Sequence, residues 1–158
     1  MQVWSVLTAL VHISVSKLPL NWRSPRVTGE EVSMTGAVGM SRPLRILVVE
    51  DEELLAAVIV DVLGDSHDVI CAANVVDAID HLLGDDIDFV LLDCMLPDGP
   101  NWQVALEADR QAIPVVFMTG DAGQAEELVE GARPYLLKPF AIAALIDVVD
   151  NAARPLPH

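Results

Sequence analysis

The sequence of 158 residues predicts an α/β protein built on a doubly wound sheet of five parallel strands. Five short apolar runs alternate with five segments of helical character, which is the order expected when helices connect parallel strands. Hydrophobic residues make up 53% of the chain and aromatic residues only 4%. Such aliphatic strands are typical of a sheet whose two faces are both covered by helices.

Turn and capping residues set the predicted bounds of these elements. Gly64 ends the first helix, while Asn74 caps a second helix that runs through Leu83 and is stopped by Gly84. The strands are predicted at Arg45–Val49, His67–Cys71, Phe89–Leu92, Val115–Met118 and Tyr135–Leu137. The other helices are predicted at Glu52–Leu63, Asn101–Arg110, Gly123–Glu130 and Phe140–Asn151. This (βα)5 order with right-handed crossovers predicts a flavodoxin-like sheet.

Charge is distributed unevenly along the chain. The formal net charge is −15, yet residues 1–43 carry four basic and two acidic side chains. From Leu44 onward there are five Lys and Arg against 22 Asp and Glu. Nucleic-acid binding depends on basic groups that neutralise phosphates, so we expect no nucleic-acid partner. The composition also divides the chain into an extension (1–43), a domain (44–153) and a short tail (154–158).

The extension lacks the strand-helix period of the domain. Its apolar stretch, Val3–Val15, is interrupted by polar residues and is shorter than the roughly 20 residues that a spanning helix needs. It also lacks the basic flank and cleavage site of a secretory signal. We expect a disordered extension or a product of an upstream start codon, with a membrane-touching or partner-binding helix as the alternative.

Polar side chains follow four of the predicted strands where those strands end. Glu50 and Asp51 follow the first, Asp93 the third, Thr119 the fourth and Lys138 the fifth. The carboxyl ends of parallel strands lie along one edge of a sheet, where ligands bind. Three carboxylates, a hydroxyl and an ammonium are therefore expected to meet there. Carboxylate oxygens are ligands that Mg²⁺ prefers, and an aspartate can act as a nucleophile toward phosphorus.

Four strings carry a resemblance to a known family: VVEDEE, VLLDCMLPDG, VVFMTG and YLLKPF. In this order they resemble the receiver domain of response regulators, in particular the single-domain chemotaxis type, over roughly residues 44–153. The resemblance implies a phosphoaspartate receiver of a two-component phosphorelay. It also implies a stand-alone signalling domain that catalyses only its own Mg²⁺-dependent phosphorylation and dephosphorylation.

The resemblance assigns roles to individual residues. Asp93 would accept the phosphoryl group, with Thr119 and Lys138 contacting its oxygens. Asp51 and Asp93 would ligate Mg²⁺ directly, Glu50 would act through water, and Met95 would offer its backbone carbonyl. Tyr135 would be the aromatic residue that moves with Thr119, although a plain edge-strand tyrosine is the alternative. The bond between Lys138 and Pro139 would be cis.

Partners follow from the same resemblance. No histidine of the chain is placed for catalysis, so a sensor histidine kinase or a histidine phosphotransfer protein would supply the phosphoryl group. The signal would pass to a downstream protein target, with a homodimer as a further possibility. We expect a cytoplasmic protein that does not bind membranes.

The partner surface is expected on the outer faces of the first and last helices, which carry few charges. If Leu54, Val58 and Val62 face the sheet, then Ala56, Ala57 and Val60 point outward.

Three other functions are alternatives to the receiver. A haloacid-dehalogenase-type phosphatase needs a second aspartate where Met95 stands. A flavodoxin needs a phosphate-binding loop where the acidic run Glu50–Glu53 stands. A receiver-like interaction module that takes no phosphate remains the alternative, because the segment between Thr119 and Lys138 is short and rich in glycine. Cys71 and Cys94 show no metal-site spacing and are expected to be buried, reduced thiols.

Overall fold

A strand and a helix alternate five times in the computed structural model, which describes residues 42–153. The strands are β1 (Arg45–Val49), β2 (Asp68–Ala72), β3 (Phe89–Asp93), β4 (Val115–Thr119) and β5 (Tyr135–Leu137). The helices are α1 (Glu53–Leu63), α2 (Val75–Gly84), α3 (Trp102–Arg110), α4 (Ala122–Glu130) and α5 (Ile142–Ala153). Every predicted element is present, with ends that differ from the prediction by at most about two residues. The predicted extension at residues 1–43 falls almost wholly outside the described residues, as does the tail.

The five strands form one parallel sheet in the order β2-β1-β3-β4-β5. This order confirms the predicted doubly wound, flavodoxin-like arrangement. The strand order reverses direction beside β1 and β3, and such a reversal opens a crevice at the carboxyl ends of those strands. Glu50 and Asp51 leave β1 at this crevice, and Asp93 is the last residue of β3.

Two apolar layers hold the helices on the sheet. One layer joins α1 and α5 to one face of the sheet, and its largest side chains include Phe89 and Leu145. The other layer joins α2 and α3 to the opposite face through residues such as Leu82 and Val104. Each fully buried aliphatic side chain contributes roughly 1.5–3 kcal/mol relative to exposure. Among the described helices, none is long and apolar enough to cross a membrane.

Local capping explains where α2 begins. Asn74 precedes the helix, and its side-chain oxygen accepts a hydrogen bond from the backbone N–H of Asp77 at 2.8 Å. A cap of this kind satisfies one of the free N–H groups of the first turn. The prediction that Gly84 stops this helix was wrong by one residue, since Gly84 belongs to α2 and Asp85 follows it.

The predicted orientation of α1 was wrong for Leu54 and Val58, whereas Val62 packs on the sheet side and Ala57 is exposed, as predicted. Leu54 and Val58 were expected to face the sheet, but they are 78% and 50% exposed. Ile59 and Leu63 are buried instead, and the half-buried Leu55 and Val62 pack against the same layer. Val60 is itself half-buried rather than outward-facing. A segment that is apolar on all sides contains two stripes of helical period, and only packing decides which of them is covered.

Candidate functional site

The predicted polar residues meet at the carboxyl edge of the sheet. Glu50, Asp93 and Thr119 are the three buried polar or charged residues among those described, with exposures of 3%, 4% and 1%. They follow or end β1, β3 and β4, which are neighbours in the sheet. Lys138 follows β5 and reaches back across β4 to the acids. Residues far apart in the chain thus form one site, as the sequence predicted.

Three carboxylates form a compact acidic cluster. Glu50, Asp51 and Asp93 each offer one oxygen, and these oxygens all lie within 4.8 Å of one another. Asp51 is exposed, whereas the other two are buried. Three hard oxygen donors with one open side are a suitable ligand set for Mg²⁺, which keeps several of its waters.

Lys138 is the counter-charge of this cluster. Its Nζ lies 2.7 Å from Oε2 of Glu50 and 3.3 Å from Oδ2 of Asp93. Burial lowers the pKa of the lysine, but the hydrogen bond and charge of Glu50 and the charge of Asp93 outweigh that effect and raise the pKa overall. Lys138 therefore stays an ammonium at neutral pH. The peptide bond between Lys138 and Pro139 is cis, which confirms the expectation from the family resemblance.

Opposing influences act on the carboxyl of the buried Glu50. Burial raises the pKa of its carboxyl, and the nearby charge of Asp93 adds to the rise. The hydrogen bonds from Lys138 and from the backbone N–H of Glu52 oppose the rise without cancelling it. A buried carboxylate of this kind gains from any further cation at the site.

The backbone around Asp93 is held by three contacts. The N–H of Met95 donates to Oδ1 of Asp93 at 3.1 Å, and the amide of Asn101 donates to the Asp93 carbonyl at 3.2 Å. The carboxylate of Asp98 accepts the N–H groups of Val75 and Val76 at the start of α2. The loop after β3 is thereby fixed to α2 and α3. Met95 was predicted to offer its carbonyl to a metal, and that role stays a prediction.

Thr119 makes a contact that the sequence reasoning did not find. Its hydroxyl donates to Oε1 of Gln124 at 2.8 Å and accepts the N–H of Asp121 at 3.1 Å. The Gln124 amide nitrogen in turn donates to the sulfur of Met95 at 3.4 Å. The only feature of the sequence that could have indicated this contact is a polar residue in the first turn of the helix after Thr119.

Tyr135 and Thr119 share a face of the sheet. Tyr135 pairs with Phe117, two residues before Thr119 on β4, and side chains two apart on a strand point the same way. The half-buried Tyr135 ring packs against the layer of α2 and α3. This placement is consistent with the prediction that the Tyr135 ring moves together with Thr119. The movement of the ring stays a prediction.

Neither described histidine bonds to the acidic cluster. The His67 ring accepts the N–H of Leu44, and the His81 ring pairs with Asp85, the residue that follows α2. Cys94 is half-buried beside Asp93, and burial raises the pKa of its thiol to about 11. A thiol with that pKa is unreactive at neutral pH. The prediction that both cysteines are buried was wrong for Cys71, which is exposed on β2.

Comparison with known proteins decides the family. The model of the response regulator receiver domain matches residues 46–150. The chain belongs to this family. Receiver domains are phosphoacceptor signalling domains of two-component systems rather than conventional enzymes, and the acidic cluster of this receiver is the feature that such domains use to bind Mg²⁺.

Solved structures agree with this assignment of the receiver. A protein assigned as a response regulator from Chloroflexus aurantiacus is 26% identical with a TM-score of 0.64, covering 71% of this chain and 98% of its own. A two-component response regulator from Clostridium difficile has a TM-score of 0.65 at 20% identity, covering 73% and 99%. The receiver domain of a sensor histidine kinase from Pseudomonas aeruginosa has a TM-score of 0.62 at 24% identity, covering 70% and 98%, and holds a magnesium ion in its active-site cleft.

Proposed function

We propose that Asp93 accepts a phosphoryl group from a phosphohistidine of a sensor histidine kinase or a phosphotransfer protein. The observation that carries the proposal is the Asp93 carboxylate itself. It is 4% exposed, ends the central strand β3, and lies beside two further acids and the ammonium of Lys138. A buried carboxylate without a capping role is a natural nucleophile once its charge is balanced.

The transfer converts a phosphoramidate into a mixed anhydride. An oxygen of Asp93 forms a bond to phosphorus as the bond from phosphorus to the histidine nitrogen breaks. The electron pair of the broken bond stays on the imidazole, which takes up a proton from water. Neither of the described histidines bonds to this site, which supports a donor histidine on another protein.

The acidic cluster fits a divalent cation on the chemistry of its donors. Glu50, Asp51 and Asp93 supply three oxygens against the single ammonium of Lys138. With Mg²⁺ bound, the ion offsets negative charge on the transferring phosphoryl group. Asp51 and Asp93 would hold it directly, Glu50 would hold it through water, and Met95 would add its backbone carbonyl.

Lys138 and Thr119 are the donors proposed for the phosphoryl oxygens. Lys138 now spans Glu50 and Asp93, so it can shift toward a phosphoryl oxygen without leaving the site. The Thr119 hydroxyl ends the neighbouring strand and is buried. Its movement, followed by the ring of Tyr135, would carry the change to the surface in the two-state manner of receiver switches.

Signalling then proceeds through protein contacts. The proposed partners are the phosphodonor protein and a downstream protein target, and a homodimer is compatible with the same surfaces. The net charge of −15 disfavours nucleic acid as a direct partner. The cytoplasmic location stays a prediction.

Intact-mass measurement tests the proposal. The protein is incubated with acetyl phosphate and Mg²⁺, and we expect one added phosphoryl group on the wild type and none on Asp93→Asn. The variant Asp86→Asn removes an exposed carboxylate away from the cluster and should label like the wild type. Equal labelling of wild type and Asp93→Asn would reject Asp93 as the acceptor. No labelling of any protein would favour the module that takes no phosphate.

A further inference from the structure

The side chain of Gln124 bridges the two loops on either side of the site. Its Oε1 accepts the hydroxyl proton of Thr119 at 2.8 Å. Its Nε2 donates to Sδ of Met95, whose own backbone N–H donates to Asp93. We call these two side-chain contacts the Gln124 bridge. Gln124 lies in the first turn of α4, where Asp121 caps the helix by accepting the Gln124 N–H at 2.9 Å.

The Gln124 bridge occupies the only proton that Thr119 can donate. A hydroxyl has one proton and two lone pairs. The N–H of Asp121 takes up one lone pair of Thr119. The proton has two acceptors in reach, Oε1 of Gln124 at 2.8 Å and the Asp121 carbonyl oxygen at 3.4 Å, and the shorter contact is the one with Gln124. A phosphoryl oxygen carries no proton, so it needs this same proton in order to bind Thr119. The contact with Gln124 and a contact with a phosphoryl group are therefore mutually exclusive.

We propose that Gln124 is a positioning residue that holds Thr119 in the unphosphorylated arrangement, so that a phosphoryl group on Asp93 must displace it. This proposal rests on the phosphoacceptor function of Asp93. It adds Gln124 as an acceptor that competes with the phosphoryl group for the Thr119 hydroxyl. It also identifies α4 as the element that responds to phosphorylation. Loss of the bridge frees the first turn of α4, so phosphorylation is reported to that helix directly.

The burial of Thr119 explains why the competition matters. Its side chain is 1% exposed, so water cannot easily satisfy the hydroxyl when the phosphoryl group is absent. A buried hydroxyl without a partner is costly, and Gln124 provides the nearer of its two acceptors, since the Asp121 carbonyl oxygen lies at 3.4 Å. A neutral hydrogen bond of this kind shifts an equilibrium by about 2- to 12-fold. That is the size of bias expected toward the unphosphorylated arrangement.

Beryllofluoride, a phosphoryl mimic, measures the bias directly. Titration in the presence of Mg²⁺ should show that Gln124→Leu binds beryllofluoride about 2- to 12-fold more tightly than the wild type. The matched control is Gln103→Leu, which removes an exposed glutamine from the first turn of α3 and should leave the affinity unchanged. Equal or weaker binding by Gln124→Leu would overturn the proposal.

A double-mutant cycle separates positioning from a general structural effect. In a Thr119→Ala background the hydroxyl is absent, so Gln124→Leu should no longer change the affinity for beryllofluoride. If Gln124→Leu has the same effect in both backgrounds, Gln124 does not act through Thr119 and the proposal fails.

The Gln124 bridge can also be tested in the unphosphorylated protein, without any phosphoryl mimic. Three-bond NMR couplings should show a single χ1 rotamer for Thr119 in the wild type and rotamer averaging in Gln124→Leu. Averaging already present in the wild type would overturn the bridge. If the wild type binds no beryllofluoride, the phosphoacceptor function fails, while the NMR couplings still decide whether Gln124 holds Thr119.

Discussion

The ammonium of Lys138 lies 2.7 Å from the buried carboxylate of Glu50, although 88 positions separate the two residues in the chain. The pair links the loop after β1 to the loop after β5. Lys138 also contacts Asp93, the last residue of β3, so the same ammonium links that strand as well. Within the described part of the chain, one cation therefore contacts two buried acids. This imbalance makes the site dependent on Lys138 for stability and receptive to a further cation for function.

Replacement of Lys138 should destabilise the fold. In Lys138→Met the carboxylate of Glu50 stays buried without its partner, which costs on the order of 1–3 kcal/mol. Urea denaturation at pH 7.5 with a chelator present would measure the loss. The control Arg110→Met breaks an exposed ion pair with Glu107 and should change stability by less than about 1 kcal/mol. Equal stability of Lys138→Met and wild type would mean that the acids are neutral without the lysine.

Removal of one acid should have the opposite effect. Asp51→Asn lowers the repulsion within the cluster, so the metal-free variant should be more stable than the metal-free wild type. It should also lose most of the gain from Mg²⁺, which for the wild type is about 2.7 kcal/mol at 100-fold excess over Kd. Thermal melts with and without Mg²⁺ measure both effects, and Asp61→Asn, on the exposed side of α1, serves as control. A lower melting temperature for metal-free Asp51→Asn would contradict this account.

The positions of the site residues were predictable because the carboxyl ends of parallel strands all lie along one edge of the sheet. Glu50, Asp93 and Lys138 each follow an apolar run, so their positions in the chain determine their positions in the sheet. The side of α1 that is buried was not predictable in the same way. Leu54 and Val58 are as apolar as Ile59 and Leu63, and only contact with α5 and the sheet distinguishes the two pairs.

The contact between Gln124 and Thr119 escaped prediction for a different reason. A glutamine in the first turn of a helix is ordinary in composition, and its partner is decided by a rotamer. The same is true of Asp98, whose carboxylate accepts an N–H group at the start of α2. Pattern and period predict where a backbone goes, whereas side-chain hydrogen bonds between loops depend on the packed structure.

His67 should make the domain less stable in mild acid. Burial lowers the pKa of its ring below the ordinary value of 6.5, although the charge of Asp150 opposes this shift. The N–H of Leu44 donates to Nδ1 of the ring, which must therefore be unprotonated. Below pH 6.5 the unfolded chain binds a proton that the folded chain does not, so stability falls as pH falls toward the lowered pKa.

NMR titration of the ring protons checks the pKa of His67 directly, with an expected value under 6.5. Urea denaturation should show a shallower loss of stability in His67→Gln than in the wild type as pH falls below about 6.5. The variant His81→Gln leaves the bond between Leu44 and His67 intact and should keep the contribution of His67. A measured pKa at or above 6.5 would refute the assignment.

The exposed apolar face of α1 and α5 should govern docking of the phosphodonor protein. Leu54 and Val58 on α1 and Ile142 and Ile146 on α5 are all exposed, and both helices cover the same face of the sheet. Helix spacing of four residues places each pair on one stripe. Exposed apolar groups of this kind mark association surfaces, and Leu54 is close in sequence to the acidic cluster.

A charge placed on this face should slow phosphotransfer without harming the chemistry. Leu54→Glu should reduce the rate of transfer from the phosphorylated donor protein by about tenfold, since a central apolar contact is worth roughly 1–2 kcal/mol. Labelling by acetyl phosphate needs no docking surface and should proceed at the wild-type rate. The matched control is Val76→Glu, at another exposed apolar position, on α2 at the opposite face of the sheet. If Leu54→Glu and Val76→Glu slow transfer to the same extent, added negative charge rather than this face is responsible, and the surface of α1 and α5 is not where the donor docks.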